Sequence, residues 1–277
     1  MTVTTPEAFV FASGDLLASA AAARCVTRLA DAIAARGHAH LVLTGGGIGT
    51  RVLAAIAAAP ARDAVDWRRV DFWWGDERFA ADGDPERNET GARAALLDAL
   101  DVDPARVHPV PGPDGPDGDV PEAAAASYAA ELATAAAPGA TVPDFDILML
   151  GIGPEGHVAS IFPESPAAYA TGSVTAVRDS PKPPPTRVSL TFGALRAARE
   201  VWILASGADS DLAAVFVIVA SEPKATGSPP PPEGLAPPPK DSALPPRSGD
   251  DSQPPWPQPA KARRNAAASA GLSTATV

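Results

Sequence analysis

The stretch Phe145-Asp-Ile-Leu-Met-Leu-Gly-Ile-Gly-Pro-Glu-Gly-His157-Val-Ala-Ser-Ile-Phe-Pro163 decides the fold class of this chain. Its apolar first half predicts a buried strand over 146–150, and the glycines that follow predict a loop that carries one histidine. Strands that read as continuous apolar runs are typical of parallel sheets covered on both faces. Open sheets of that kind bind ligands at the carboxyl ends of their strands, so this loop is a candidate ligand site.

His157 is the candidate general base of this loop. A lone histidine is more often a packed or surface residue than a catalyst, but this one follows a strand end and lies two residues after Glu155. These two features favour general-base catalysis, with Glu155 as its partner. Gly156 and the other glycines of the loop let the backbone approach a ligand more closely than residues with a Cβ atom would.

The composition limits the classes of partner. The 277 residues carry a net charge of −11, which argues against a general affinity for nucleic acid or for an anionic membrane. Cys25 is the only cysteine, so an intrachain disulfide and a cysteine metal cluster are both impossible. The N-terminus has no basic n-region, and the longest late apolar run, Ala213 to Ala220, is far shorter than the ~20 residues of a membrane helix. We expect a cytoplasmic, monomeric protein.

Strands alternate with helices along the first 220 residues. Helical periodicity predicts helices over about 13–36, 50–59, 88–100 and 122–136. Apolar runs predict strands over 41–44, 70–74, 146–150, 174–177, 187–190 and 201–204. This alternation predicts an α/β domain over residues 1–220, with three α/β/α layers and a mostly parallel sheet. We expect the first three of these strands to converge on one pocket.

The composition changes near Ser221. Residues 221–277 contain 14 prolines, against 18 in the preceding 220 residues. Proline lacks the backbone donor that a helix or a central strand needs, and the segment holds little apolar surface to bury, which predicts a disordered low-complexity tail. The run Val215-Phe-Val-Ile-Val219 before it is apolar and β-prone, so we expect it to pack against the sheet.

A glycine run, Thr44-Gly-Gly-Gly-Ile-Gly-Thr50, follows the strand at 41–44 and opens a helix. Unpaired N–H groups and the positive end of the helix dipole make such a place an anion site. The spacing provides neither the G-x-G-x-x-G dinucleotide fingerprint nor the Gly-Lys-Ser/Thr of a P-loop. Gly45, Gly46 and Gly47 therefore form either a tight structural turn or a cradle for a phosphate or a sugar.

Charged residues follow the next strand, which ends at Trp74. A solvated charged loop is one interpretation of Asp76, Glu77 and Arg78. The other is a phosphate site, because a guanidinium matches phosphate oxygens and either carboxylate can hold it in place. Arg187 is a second candidate cation, and Asn88 either contacts the ligand or caps the helix that it begins. With the histidine loop, these residues suggest chemistry on a small phosphorylated molecule.

Residues from about 10 to 209 resemble the 6-phosphogluconolactonases of the actinobacterial type. The resemblance rests on five ordered motifs, Leu43-Thr-Gly-Gly-Gly47, Phe72-Trp-Trp-Gly-Asp-Glu-Arg78 with Glu86-Arg-Asn88, Val107-His-Pro109, Leu150-Gly-Ile-Gly-Pro-Glu-Gly-His-Val-Ala-Ser-Ile-Phe-Pro163 and Ser180-Pro-Lys-Pro-Pro-Pro-Thr-Arg-Val-Ser-Leu-Thr191. It implies a NagB/RpiA-like α/β fold. It also implies hydrolysis of 6-phospho-D-glucono-1,5-lactone to 6-phosphogluconate, in the oxidative pentose phosphate pathway, without a metal or a cofactor.

The resemblance also implies roles for individual residues. His157 matches the family's proposed base, Arg78 and Arg187 match positions expected to bind phosphate, and the glycine run matches the substrate-lining loop. The predicted catalytic residues are thus His157 and Glu155. The predicted substrate-binding residues are Gly45, Gly46, Gly47, Asp76, Arg78, Asn88, Gly156 and Arg187.

Two alternatives to an active lactonase remain. Glucosamine-6-phosphate deaminases share the glycine loop and the Gly-His pair, but they typically have Ala-Phe-Asn-Glu-Pro after it and a tyrosine where this chain has Arg78. Ser160-Ile-Phe-Pro163 and Arg78 therefore favour the lactonase. The second alternative is a non-catalytic sugar-phosphate-binding homologue, since Ser210 stands where the family usually has a lysine. The family's final helix and Thr-Leu-Trp-Leu strand are also not recognisable here, and the switch to proline-rich sequence resembles a reading-frame change.

Overall fold

The computed structural model describes residues 5–207 and 214–220. The strands in these residues are β1 (Glu7–Phe11), β2 (Ala39–Leu43), β3 (Val70–Trp74), β4 (Asp76–Arg78), β5 (Ile147–Gly151), β6 (Val174–Val177), β7 (Arg187–Leu190), β8 (Glu200–Ser206) and β9 (Ala214–Ala220). The α-helices are α1 (Gly14–Arg36), α2 (Gly46–Ala58), α3 (Asn88–Ala95), α4 (Pro121–Ala135) and α5 (Phe192–Leu195). Short 3-10 turns lie between several of these elements.

The central sheet has six strands in the order β1-β9-β8-β5-β2-β3. The four strands β8, β5, β2 and β3 are parallel neighbours, while β9 runs antiparallel to both β8 and β1. Every residue of β2 and β3 is buried, as expected for strands covered on both faces. The predicted three-layer α/β/α fold with a mostly parallel sheet is confirmed.

Helices α1 and α2 pack against each other and against the central sheet. The Ser13 hydroxyl caps α1 by accepting the Leu16 N–H at 3.3 Å, and Gly37 ends the helix in the left-handed region at φ 83°. Leu17, Cys25 and Leu29 on its inner face are fully buried. Burial raises the pKa of the Cys25 thiol, which is consistent with a structural residue.

A second sheet of three antiparallel strands, in the order β4-β7-β6, lies apart from the central one. The strands predicted over 174–177 and 187–190 form at those residues, but they join this sheet instead of the parallel one. The charged segment after β3, for which a solvated loop was one of two interpretations, is the short strand β4 of the same sheet. An apolar run predicts that a strand forms, but it does not specify the partner with which the strand pairs.

The apolar run near the end of the described chain forms β9, between β8 and β1, as predicted from its composition. Phe216 of this strand is 1% exposed, and its ring packs edge-on against Trp202 at 5.0 Å. Helix α4 packs against the second sheet. None of the described helices is long and apolar enough to span a membrane. The predicted tail, 221–277, and Ser210 lie outside the described residues.

Candidate active site

A cavity of about 460 Å³ opens where the carboxyl ends of β2, β3, β5 and β8 meet at one edge of the central sheet. The segments that follow these four strands form most of its wall, and the chain before and within β7 forms the rest. The expected convergence of the first three predicted strands on one pocket is therefore confirmed. This edge is also where open α/β sheets bind their ligands.

Eight of the ten predicted site residues line this cavity, and they are Gly45, Gly46, Gly47, Asp76, Arg78, Asn88, His157 and Arg187. The other two, Glu155 and Gly156, are not part of the wall. Glu155 lies behind the wall residue His157 and is hydrogen-bonded to its imidazole. Gly156 has φ 83° and donates its N–H to the Gly153 carbonyl oxygen at 2.9 Å, so its conformational freedom shapes the turn and not the wall.

The histidine loop orients His157 toward the cavity. Its Nδ1 lies 3.1 Å from Oε2 of Glu155, and its ring packs 4.3 Å from the ring of Phe162. A carboxylate can only accept a hydrogen bond, so Nδ1 carries the proton and Nε2 is left with its lone pair. Burial lowers the pKa of His157, and the charge of Lys182 lowers it further, while Glu155 opposes both effects. The imidazole is therefore neutral at neutral pH, and Nε2 can accept a proton.

Arg78 and Arg187 are direct cross-strand partners in the pairing of β4 with β7. Arg187 is 4% exposed, and its Nε donates to the Pro184 carbonyl oxygen at 3.2 Å. Burial lowers the pKa of Arg187, and the nearby charge of Arg78 lowers it further. Among the described residues, the buried Nε of Arg78 has no hydrogen-bond partner. Two like charges directly opposite each other destabilise a sheet, so this arrangement favours a bound anion between them.

Asp76 is fixed by Ser160, a residue that the sequence analysis quoted in a family motif but did not include among the predicted site residues. The fully buried Ser160 hydroxyl donates to Oδ2 of Asp76 at 2.6 Å and accepts from Nη1 of Arg187 at 3.5 Å. The prediction that Asp76 or Glu77 holds the guanidinium of Arg78 was wrong, because that group instead donates to the Glu86 carbonyl oxygen. Asp76 is thus connected through Ser160 to Arg187.

Glu77 provides the cap of α3. Its carboxylate accepts the backbone N–H groups of Arg78, Asn88 and Glu89 at 2.6–2.8 Å. Burial raises the pKa of Glu77 to about 7, against the opposing effect of these hydrogen bonds. Asn88 is therefore not the N-cap of α3, in contrast to one of the two interpretations of the sequence. Asn88 is the first residue of the helix, and its amide donates to the Asp76 carbonyl oxygen at 2.8 Å.

The glycine run forms a tight turn and also lines the cavity. A Cβ atom on Gly45 would lie 1.8 Å from Oδ1 of Asn88, so no larger residue fits there without displacing that amide. Gly46 has φ 77° and begins α2, whose first N–H groups lack partners within the helix. These N–H groups and the helix dipole favour an anion at this end of the cavity.

The cavity also contains residues that sequence reasoning missed. Thr44 accepts the Gly151 N–H at 3.3 Å and so connects the ends of β2 and β5. Arg51, one turn into α2, donates to the Ser206 hydroxyl at 3.3 Å. Lys182 lies in the Pro-Lys-Pro-Pro-Pro segment that the family resemblance quoted, yet a lysine between prolines gives no local sign of its partner. In the residues that the structure describes, no group of three His, Cys, Asp or Glu side chains is arranged to hold a metal ion.

Comparison with known proteins places the chain among sugar-phosphate enzymes. The model of the family described as glucosamine-6-phosphate isomerases/6-phosphogluconolactonase matches residues 12–233. The chain belongs to this family. A 6-phosphogluconolactonase of Streptomyces coelicolor is 58% identical over 208 residues, which cover 74% of this chain and 80% of that protein. A 6-phosphogluconolactonase of Mycobacterium tuberculosis is 46% identical over 210 residues, covering 74% and 84%.

Solved structures of the glucosamine-6-phosphate isomerase/6-phosphogluconolactonase family share the architecture. The 6-phosphogluconolactonase of Trypanosoma brucei matches with a TM-score of 0.61 at 28% identity, covering 72% of this chain and 81% of that one. The enzyme of Thermotoga maritima matches with a TM-score of 0.58 at 26% identity, covering 70% and 79%. A monomeric glucosamine-6-phosphate deaminase, at 16% identity and a TM-score of 0.57, covers 70% and 79% and shows the fold alone.

Proposed function

We propose that this chain hydrolyses 6-phospho-D-glucono-1,5-lactone to 6-phosphogluconate, with His157 as the general base. The observation that carries the proposal is that a neutral imidazole and the paired guanidinium groups of Arg78 and Arg187 face one cavity. Relatives that are 46% and 58% identical are named 6-phosphogluconolactonases, which supports the same substrate here. The reaction belongs to the oxidative pentose phosphate pathway and, in this proposal, needs no metal or cofactor.

In the first step a water molecule attacks the lactone carbonyl carbon while Nε2 of His157 takes its proton. The carbonyl π electrons move to oxygen and form a tetrahedral oxyanion. Collapse of that intermediate breaks the bond between the carbonyl carbon and the ring oxygen, and the imidazolium returns its proton to the leaving ring oxygen. The product carries a hydroxyl group and a carboxylic acid, which loses its proton at neutral pH.

In this proposal Glu155 holds the imidazole in the tautomer that the reaction requires and stabilises the imidazolium that forms. Arg78 and Arg187 bind the phosphate, since guanidinium groups match its oxygens. The glycine run and the start of α2 contribute N–H groups to the same anionic ligand. The chain as a whole has a net charge of −11, but the wall of this cavity includes the three arginines Arg51, Arg78 and Arg187 as well as the carboxylate of Asp76, which supports an anionic substrate.

The glucosamine-6-phosphate deaminase alternative is not favoured. Relatives that are 46% and 58% identical are named 6-phosphogluconolactonases, and the solved lactonases of Thermotoga maritima and Trypanosoma brucei are 26% and 28% identical to this chain, against 16% for the solved deaminase. The sequence-based expectations of a monomer, a cytoplasmic location and no affinity for nucleic acid remain proposals, and the last of them rests on the acidic net charge.

The test is hydrolysis of freshly prepared lactone, coupled to 6-phosphogluconate dehydrogenase and corrected for spontaneous ring opening. We expect His157→Ala to lose about 10²–10⁴-fold in kcat, the usual contribution of a positioned base. His38→Ala is the matched control, because His38 lies before β2, away from the cavity wall. Equal losses in both variants would contradict the role of His157.

Two other readouts separate the alternatives. Release of ammonia from glucosamine 6-phosphate would support a deaminase. Binding of 6-phosphogluconate by calorimetry, without turnover of the lactone, would support the non-catalytic homologue that Ser210 suggests. The encoding DNA gives an independent check, because a second reading frame after Gly207 that encodes a lysine and a Thr-Leu-Trp-Leu-like strand would identify the tail as a frameshift product.

A further inference from the structure

One carboxylate oxygen is shared by two residues of the cavity wall. Oε2 of Glu155 lies 3.1 Å from Nδ1 of His157 and 3.1 Å from Nζ of Lys182. The side chains of His157 and Lys182 both line the cavity, whereas Glu155 lies behind them. The Glu155 carboxylate thus forms an ion pair with the Lys182 ammonium group and a hydrogen bond with the His157 imidazole.

The backbone of Lys182 is also fixed. The Ser180 hydroxyl donates to the Lys182 carbonyl oxygen at 3.1 Å, and Nη2 of Arg187 donates to the same oxygen at 3.1 Å. The segment before β7 therefore connects the proposed phosphate-binding arginine to the ion pair behind the histidine. The Lys182 backbone is thus fixed, and its 38% exposed side chain starts from a defined place beside Glu155.

We propose that Lys182 is a positioning residue for the reaction proposed above: its ammonium group fixes the Glu155 carboxylate in the place from which it orients the imidazole of His157. This inference rests on the proposed function. Without the ammonium group, Glu155 has an exposed side chain whose rotamers are free to move away from Nδ1, and the imidazole loses its fixed tautomer. A water-exposed ion pair alone adds little stability, so the expected effect is on the reaction and not on the fold.

The charges around the imidazole give this role a signature in the pH profile. Three charged groups act on it: Lys182 lowers the pKa of His157, while Glu155 and Asp76 raise it, and burial lowers it. Loss of the ammonium charge raises this pKa, whereas departure of Glu155 from Nδ1 lowers it. If Lys182 holds Glu155 in place, Glu155→Gln shifts the acidic limb of the kcat/KM profile to lower pH in the otherwise unmodified chain and moves it little in a Lys182→Met background.

The experiment compares Lys182→Met with Lys182→Arg in the full chain. We expect Lys182→Met to lower kcat roughly tenfold at neutral pH, a fraction of the 10²–10⁴-fold effect of a positioned base, with a nearly unchanged KM. Lys182→Arg keeps the charge and should recover most of kcat and the original acidic limb. A KM that rises with kcat intact would overturn the proposal, because it would make Lys182 a residue that binds substrate uniformly.

A double-mutant cycle tests whether Lys182 acts through Glu155. In a Glu155→Gln background, Lys182→Met should add less than a twofold further loss of kcat, since residues that act as a unit are non-additive. Full additivity of the two losses would overturn the proposal. NMR titration of the His157 ring, identified by its disappearance in His157→Gln, should show that Glu155→Gln lowers the His157 pKa in the otherwise unmodified chain and changes it little in the Lys182→Met background. An equal lowering in both backgrounds would overturn the proposal. This measurement needs no turnover, so it separates failure of the Lys182 proposal from failure of the lactonase proposal.

Discussion

A Cβ atom placed on Gly153 would lie 1.9 Å from Cε1 of His157. The imidazole therefore occupies the space that the side chain of any other residue at position 153 would need. The same glycine donates its N–H to the His157 carbonyl oxygen at 3.0 Å, which closes the loop on itself. A glycine at position 153 thus leaves room for the imidazole of His157. This steric reason accounts for the glycine without a close approach of its backbone to a ligand.

Substitution of Gly153 tests this relationship. We expect Gly153→Ala to lower kcat about 10²-fold, because displacement of a catalytic group by about 1 Å has an effect of that order. Gly91→Ala is the matched control, since a Cβ atom there meets nothing within 4 Å. Steady-state kinetics of both variants, with circular dichroism to confirm folding, check the prediction. Unchanged kcat in Gly153→Ala would show that the ring does not need this position.

The pH dependence of activity follows from the environment of His157. Burial and the charge of Lys182 lower the pKa of this group from its ordinary value of 6.5, against Glu155. We therefore expect the acidic limb of kcat/KM to have its midpoint below pH 6.5, because the imidazolium that forms there can no longer accept a proton. Glu155→Gln removes a charge that raises this pKa, so its acidic limb should move to still lower pH. An acidic limb above pH 7 in the unmodified chain would contradict the assignment.

The cap of α3 predicts a loss of stability. In the unmodified chain the 1% exposed carboxylate of Glu77 accepts hydrogen bonds from the N–H groups of Asn88 and Glu89. Glu77→Gln replaces one of its oxygens with an amide N–H₂, which cannot accept, so one buried backbone N–H becomes unpaired. We expect the free energy of unfolding to fall by about 1–3 kcal/mol. Denaturant titration measures this loss, and Glu122→Gln is the control, because the ion pair of Glu122 with Arg178 is exposed on the surface and contributes little stability. An equal fall in the free energy of unfolding in both variants would mean that the cap of α3 adds no more stability than an exposed ion pair.

His108 predicts a stability that declines at alkaline pH. Its ring stacks on Trp73 at 3.8 Å, and its two nitrogens lie 3.1 Å from Asp71 and 2.7 Å from Glu131. Burial lowers the pKa of His108, but the hydrogen bonds with the two carboxylates outweigh it and raise the pKa to about 9. Since this value lies above the ordinary 6.5, the stabilisation is complete below pH 6.5 and is lost as the pH rises through about 9.

Thermal melting between pH 6 and pH 10 checks this prediction. We expect the unmodified chain to lose roughly 1–3 kcal/mol of stability across that window, and His108→Gln to remove most of the dependence. His38→Gln is the control, and it should leave the slope in place. If the dependence of stability on pH persists in His108→Gln, another titrating group causes it.

The last prediction concerns β9, the strand that pairs with both β8 and β1 in the central sheet. Phe216 packs against Trp202 at 5.0 Å and Phe9 at 6.0 Å, so Phe216→Ala should lower the free energy of unfolding by about 3–5 kcal/mol. Val217→Ala on the half-buried side of the same strand should have a smaller effect, about 1 kcal/mol. Chemical denaturation of both variants decides it, and a neutral Phe216→Ala would mean that β9 does not pack as described.

The sequence by itself determined the parallel sheet and the edge of that sheet at which the cavity opens. Apolar runs such as 146–150 and the glycines after them are local signals, because burial on both faces and positive φ angles constrain each residue where it stands. The same signals identified His157 and the glycine run, and the family motifs identified Arg78 and Arg187. Element ends differed by a few residues, as for α2, which begins at Gly46 and not near residue 50.

Only the tertiary structure decided which of these residues touch. The pairing of Arg78 with Arg187 joins strands that are 109 positions apart, and the bond from Ser160 to Asp76 spans 84 positions. Glu77 caps a helix that begins 11 positions later, and Lys182 reaches Glu155 from another loop. No local pattern encodes such contacts, because antiparallel pairing and side-chain hydrogen bonds depend on where the folded backbone brings distant segments together.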